Sequence, residues 1–115
     1  RCARVTGVQT CALPICNGRN AMLFTKQGIM NMRNKKWEND FSPIEEDGES
    51  FVDTVYSKAY LRHLFHANEL LALEIGSLHN LAFYLWLVGE ARKHIIAGDF
   101  SIWKPKMVEQ VTTRL

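Results

Sequence analysis

Two imidazoles, a run of cations and an aromatic stripe are the chemistry-bearing features of this 115-residue chain. His63-x-x-His66 puts two histidines three residues apart. On a helix that spacing turns both rings to one side, as a metal pair would need. No third ligand has a clear place beside them, so packing or interface roles are expected. Tyr56, Tyr60 and His63 recur at i, i+4 and i+7 and make one face of a helix. A face rich in aromatics suits either a core or a protein interface. Arg19, Lys26, Arg33, Lys35 and Lys36 occur among residues 17–37 with no acid between them. Such cations can attract nucleic-acid phosphate whatever its sequence. Glu38, Asp40, Glu45, Glu46, Asp47, Glu49 and Asp53 then follow with no base. A basic stretch followed by an acidic one points to two surfaces with different jobs, and two merely solvated faces are the favoured alternative.

The elements that carry these residues can be read from pattern and punctuation. Met22–Thr25 and Ile29–Met32 are apolar runs around Lys26-Gln27-Gly28, and Gly28 can take a positive φ, so a β-hairpin is expected. Phe41 to Gly48 is a loop marked by Pro and Gly. A helix is predicted to start near Asp53 or Thr54, with Leu61, Leu64 and Phe65 on its apolar side. Asn68 is the expected cap of a long helix running from Glu69 to about Ile96, with possible bends at Gly76 and Gly89. Leu81 to Val88 is apolar on every side, which predicts burial against several partners. Ala97-Gly98 is a stop, and Asp99 caps a last amphipathic helix bearing Trp103, Met107 and Val111. The fold class expected is α+β: a short hairpin followed by a helical C-terminal subdomain.

Composition narrows the functional classes. With 47% hydrophobic and 23% charged residues the chain reads as globular rather than disordered. The longest apolar run spans eight residues, Leu81 to Val88, too short for a membrane span. Arg1 and Arg4 account for the whole formal excess of +2, so residues 17–115 are neutral. Cys2, Cys11 and Cys16 all lie in the first sixteen residues. No thiolate metal site or disulfide framework can therefore be built from residues 17–115, which fits a reducing compartment. Val5 to Ile15 resembles a translated sequencing-library adapter, so residues 1–16 are read as a non-native head. A native strand over Thr10 to Ile15 is the alternative. No secretory signal is expected in this head.

Four strings in order carry a family resemblance. They are Asn17-Gly18-Arg19-Asn20-Ala21-Met22-Leu23-Phe24-Thr25, Ile29-Met30-Asn31-Met32-Arg33-Asn34, Tyr56-Ser57-Lys58-Ala59-Tyr60-Leu61-Arg62-His63-Leu64 and His79-Asn80-Leu81-Ala82-Phe83-Tyr84. Together they resemble the C-terminal end of bacterial tRNA-guanine transglycosylases, across residues 17–115. The resemblance implies derivation from the end of an irregular (β/α)8 TIM barrel, and an enzyme that exchanges guanine for a queuosine precursor at the tRNA wobble position. The family's aspartate nucleophile aligns with Thr10, which cannot replace it, and the substrate pocket lies further upstream. No catalytic residue is therefore expected here, and the chain alone should be inactive. Asn17, Gly18, Arg19 and Asn20 match the wobble-recognition stretch, with Arg19 the best suited by its planar fork. The implied partners are the tRNA anticodon loop and a second subunit, in a homodimer held through Tyr56, Tyr60 and His63. The family's zinc ligands align with Gly48, Ser50, Asp53 and His79, so three of its cysteines are gone and no metal or other cofactor is expected. Trp86 stands where a polar residue is usual. A cytoplasmic location without a membrane anchor is implied. A non-enzymatic RNA-binding or dimerisation module is the alternative function.

Overall fold

The computed structural model describes residues 4–5, 8–9 and 13–115. Cys2, Cys11 and the Thr10 position lie outside the described residues. Arg4–Val5 (β1) and Val8–Gln9 (β2) pair antiparallel. Leu13–Arg19 forms a short helix, α1. The alternative of a strand up to Ile15 is thus corrected for its last three positions. Pro14 falls in the first helical turn, where its missing N–H costs nothing.

The hairpin is present as expected. Met22–Thr25 (β3) and Gly28–Asn31 (β4) pair antiparallel, with Leu23 opposite Met30 and Thr25 opposite Gly28. Lys26 and Gln27 are the two turn residues. The Thr25 hydroxyl donates to the Gly28 carbonyl at 2.8 Å and accepts the Gly28 N–H at 3.1 Å, locking the turn. Gly28 sits at φ 150°, and a side chain there would run into the Thr113 carbonyl. One face of the hairpin, with Leu23, Thr25 and Met30, is buried.

The helical part differs from expectation in its joints. In place of one helix from Asp53, Phe51–Val55 (α2) and Lys58–His66 (α3) follow each other. Tyr56 is extended between them, and the Ser57 hydroxyl caps α3 by accepting the Tyr60 N–H. Asn68 does not cap the next helix. It takes φ 55°, a left-handed turn that asparagine tolerates, and Glu69 becomes the N-cap of Leu70–Ala97 (α4). Gly98 ends α4 at φ 83°, as the Ala97-Gly98 stop predicts. Phe100–Thr112 (α5) then runs back with Trp103, Met107 and Val111 half-buried.

Gly76 is not a bend. It lies inside the unbroken 28-residue α4 and touches Gly18 of α1 backbone to backbone. A Cβ on Gly18 would stand 2.6 Å from the Gly76 carbonyl carbon, closer than van der Waals contact allows. The stretch from Leu81 to Val88 is also less buried than its composition predicts. Phe83 is buried, but Leu85 is 66% exposed. The partners of α4 are α1, α2, α3, β3 and α5, and they leave one side of the helix open. By length and composition α4 could cross a membrane. Its buried polar residues bond to the hairpin instead, which seats it in the core. That core joins Leu23, Met30 and Met32 of the hairpin region to Leu61, Leu64, Phe65, Ala72 and Ile75 of the helices.

The Gly18–Gly76 contact yields a direct expectation. Gly18→Ala should lower stability by about 1–3 kcal/mol, since the intruding methyl meets backbone that cannot swing aside. Urea denaturation measures it, and a midpoint equal to that of the parent chain would contradict the contact.

Candidate nucleic-acid interface and the buried His79 centre

Asn80 and His79, adjacent on α4, close the free edge of the hairpin. Strand β3 pairs with β4 on one side only. Its other edge presents the Met22 carbonyl, both backbone groups of Phe24 and the Lys26 N–H. Asn80 Nδ2 donates to the Met22 carbonyl at 2.9 Å, and its Oδ1 accepts the Phe24 N–H at 3.0 Å. His79 Nε2 bonds the Phe24 carbonyl at 2.7 Å. Glu45 Oε1 accepts the Lys26 N–H at 2.7 Å. Three side chains thus supply what a third strand would supply. The remaining Nδ2 hydrogen of Asn80 reaches the Pro14 carbonyl at 2.9 Å and so ties α1 to the same point. The Phe24 ring seals the joint against Phe83 and Tyr84 of α4.

The protonation of His79 follows from its partners. A carbonyl can only accept, so Nε2 carries a hydrogen. Nδ1 lies 2.5 Å from Asp53 Oδ1, and both groups are buried. One proton must sit between them. The pair is an imidazolium with a carboxylate or a neutral imidazole with a carboxylic acid, and its net charge is zero in both forms. Asp53 Oδ2 accepts the Ser50 N–H at 3.0 Å. Half-buried Glu45 lies alongside. Burial pushes its carboxyl above the ordinary glutamate range, while the Lys26 N–H pulls the other way.

The residues expected to meet RNA stand at the end of α1. Arg19 and Asn20 are exposed, Asn17 is half-buried, and Gly18 is buried against Gly76. Ala21, fully buried at φ 65°, reverses the chain immediately afterwards. The Asn20 N–H bonds back to the Asn17 carbonyl at 3.0 Å, which fixes the turn. Arg19 and Asn20 are therefore held outward on a backbone anchored by Gly18 on one side and by Asn80 on the other.

The stretches of opposite charge do not form two separate surfaces throughout. Lys26 pairs with Glu49 at 2.8 Å, donates to the Asp47 carbonyl and lies 4.7 Å from the Trp86 ring centre. It is committed to the acidic loop and to α4. Trp86 thereby gains a partner within the chain. Lys58 and Arg62 approach Asp40 and Glu38 at 4.0 Å. Arg33, Lys35 and Lys36 stay exposed, with Lys36 over the Trp37 ring. Tyr56 and Tyr60 stack at 5.8 Å although the chain breaks between two helices there, and Tyr60 and His63 are exposed. His66 is exposed as well.

Asn80 and Glu45 are functional supports that sequence reasoning missed. A signal for Asn80 did exist: an amide inside a long apolar helix needs partners, because buried polar groups are hydrogen-bonded. Nothing local marks Glu45 among its acidic neighbours.

A family model described as Queuine tRNA-ribosyltransferase matches residues 7–113, beginning upstream of Asn17. The chain is 40% identical over 105 residues to the Queuine tRNA-ribosyltransferase of Aquifex aeolicus (strain VF5), covering 91% of this chain and 28% of that protein. It is 43% identical over 104 residues to the one from Helicobacter pylori (strain ATCC 700392 / 26695), covering 90% and 28%. Against the one from Clostridium acetobutylicum it is 47% identical over 94 residues, covering 82% and 25%. The relatives so matched are named as tRNA-ribosyltransferases. This chain belongs to the queuine tRNA-ribosyltransferase family, and it spans about a quarter of the length of these relatives.

The Glu45 carboxyl gives a pH expectation. Its folded value is raised, so its contribution to stability is full below the ordinary glutamate value and is lost as pH rises through the raised one. Glu45→Gln keeps an acceptor for Lys26 and removes the titration. The variant should gain stability relative to its parent as pH rises above the ordinary glutamate value of about 4.3. Urea denaturation across that range tests it, and a difference that does not change with pH would contradict it.

Proposed function

We propose that this chain is the C-terminal piece of a tRNA-guanine transglycosylase, derived from the end of its (β/α)8 barrel. The parent enzyme exchanges guanine for a queuosine precursor at the tRNA wobble position. This piece contributes contact with the anticodon loop through Asn17, Gly18, Arg19 and Asn20, and dimer contact through Tyr56, Tyr60 and His63. The observation that carries the reading is the family match along nearly the whole chain, joined to the outward placement of Arg19 on an anchored turn. Within the stretch the roles divide. Gly18 packs the backbone, and Arg19 and Asn20 offer the donors. Arginine suits the task because its fork pairs with phosphate and base edges alike. Arg33, Lys35 and Lys36 add attraction that does not depend on sequence.

A dimerisation module is the second reading. The stacked, partly exposed Tyr56–Tyr60 pair beside exposed His63 favours it, because aromatic residues with a polar tip are enriched in interface cores. Both roles fit one piece of an enzyme cytoplasmic in its location.

One preparation tests these roles. The chain alone should exchange no labelled guanine into tRNA. It should bind an anticodon stem-loop, and Arg19→Ala should weaken that binding roughly tenfold. Tyr60→Ala should shift its sedimentation toward monomer. Measurable base exchange would overturn the catalytic assignment. Unchanged affinity or unchanged sedimentation would overturn the corresponding contact.

A further inference from the structure

The positions where the family resemblance implies zinc ligands do converge in space, but their chemistry is not that of a zinc site. Gly48 offers no donor, and a Cβ on it would overlap the Asp53 carboxylate. Ser50 turns its backbone N–H, not a thiolate, toward Asp53. The Asp53 carboxylate fills the space between these residues. Its Oδ2 accepts from Ser50 and its Oδ1 faces His79 Nδ1. The other nitrogen of His79 is held by the Phe24 carbonyl.

Glu45, Asp53 and His79 still bring three ligand-type atoms within 4.8 Å of one another. Proximity does not make them a donor set. Zinc needs lone pairs aimed at a shared centre about 2.0–2.3 Å from each ligand, and a closed structural site needs four of them. Here the lone pairs of Asp53 and His79 point at each other across 2.5 Å, with a proton between. Glu45 is engaged by the Lys26 N–H. For a metal to enter, the bridging proton would have to leave, and the freed centre would still lack a fourth ligand.

We propose that a proton does in this chain what zinc does at the corresponding place in the family. The proton-bridged Asp53–His79 pair fastens α2 to α4, and the Nε2 bond of the same ring fastens α4 to β3. The joint has the connectivity of a metal clip, with positive charge between electron-rich atoms from different elements. It is neutral overall, which makes its burial tolerable without a counter-ion. It also explains Gly48: only a residue without a side chain leaves room for the carboxylate. Folding of this chain is accordingly independent of divalent metal.

The test uses the 115-residue chain itself, expressed with zinc in the medium and purified without chelator. Metal content is measured by mass spectrometry, thermal unfolding with and without EDTA, and the bridging proton by proton NMR, with Asp53→Asn to assign it. The expected result has three parts: zinc far below one per chain, an unfolding midpoint unmoved by EDTA, and a far-downfield proton that persists after one equivalent of zinc chloride. About one zinc per chain, a midpoint lowered by EDTA, or loss of that resonance on adding zinc would overturn the proposal. Absence of the resonance from the metal-free chain would overturn it too.

Discussion

An isolated two-stranded hairpin is at best marginally stable in water, and its free edges leave backbone groups without partners. That constraint organises this structure. The outer edge of β4 is met by the chain's own C-terminus: Ile29 N–H bonds the Thr113 carbonyl at 2.7 Å, and Leu115 N–H bonds the Ile29 carbonyl at 3.0 Å. The outer edge of β3 is met by side chains, from Asn80, His79 and Glu45. The hairpin is therefore a sheet whose third and fourth strands are a three-residue tail and a helix face. Every buried side-chain polar atom among the described residues finds a partner.

The rest of the architecture follows from that docking. To bring His79 and Asn80 to the strand, α4 must lie close under the hairpin. The Gly18–Gly76 contact lets α1 approach α4 on the same side. Asn80 then serves α1 and β3 at once, so the loop between them has little freedom. That loop holds Asn20 and follows directly on Arg19, the last residue of α1. The route from core to surface is short: an amide on α4 holds Pro14 and Met22, and the segment between them presents the arginine. Charge plays a smaller part. Lys26–Glu49 and the longer pairs to Asp40 and Glu38 tie the acidic loop down, but exposed pairs of this kind are worth little each.

Much of the fold was legible in the sequence, for identifiable reasons. The hairpin announced itself by two apolar runs around a Gly-marked turn. The long helix announced itself by composition, and its end by Ala97-Gly98. What failed were choices settled by tertiary contact. Tyr56, which is extended, and Ser57, which caps α3, divided a helix that spacing alone made continuous. Asn68 went to a turn and left the cap to Glu69. The apolar stretch after Leu81 read as buried on all sides, yet neighbours cover only one of them. The candidate site was legible mainly through the family's strings, which singled out Arg19, Tyr60 and His79. Its supports were less so. Gly18 reads as part of a recognition string until Gly76 is seen against it, and Glu45 is one carboxylate in an acidic run until the strand edge needs it.

Hydrogen exchange at the Phe24 amide tests the central claim most directly, because that N–H faces away from β4 and has only Asn80 to bond. In the native chain it should exchange as slowly as the Leu23 amide, and Asn80→Ala should speed Phe24 far more than Leu23. A Phe24 amide that exchanges as fast as an open strand edge in the unsubstituted chain would contradict it.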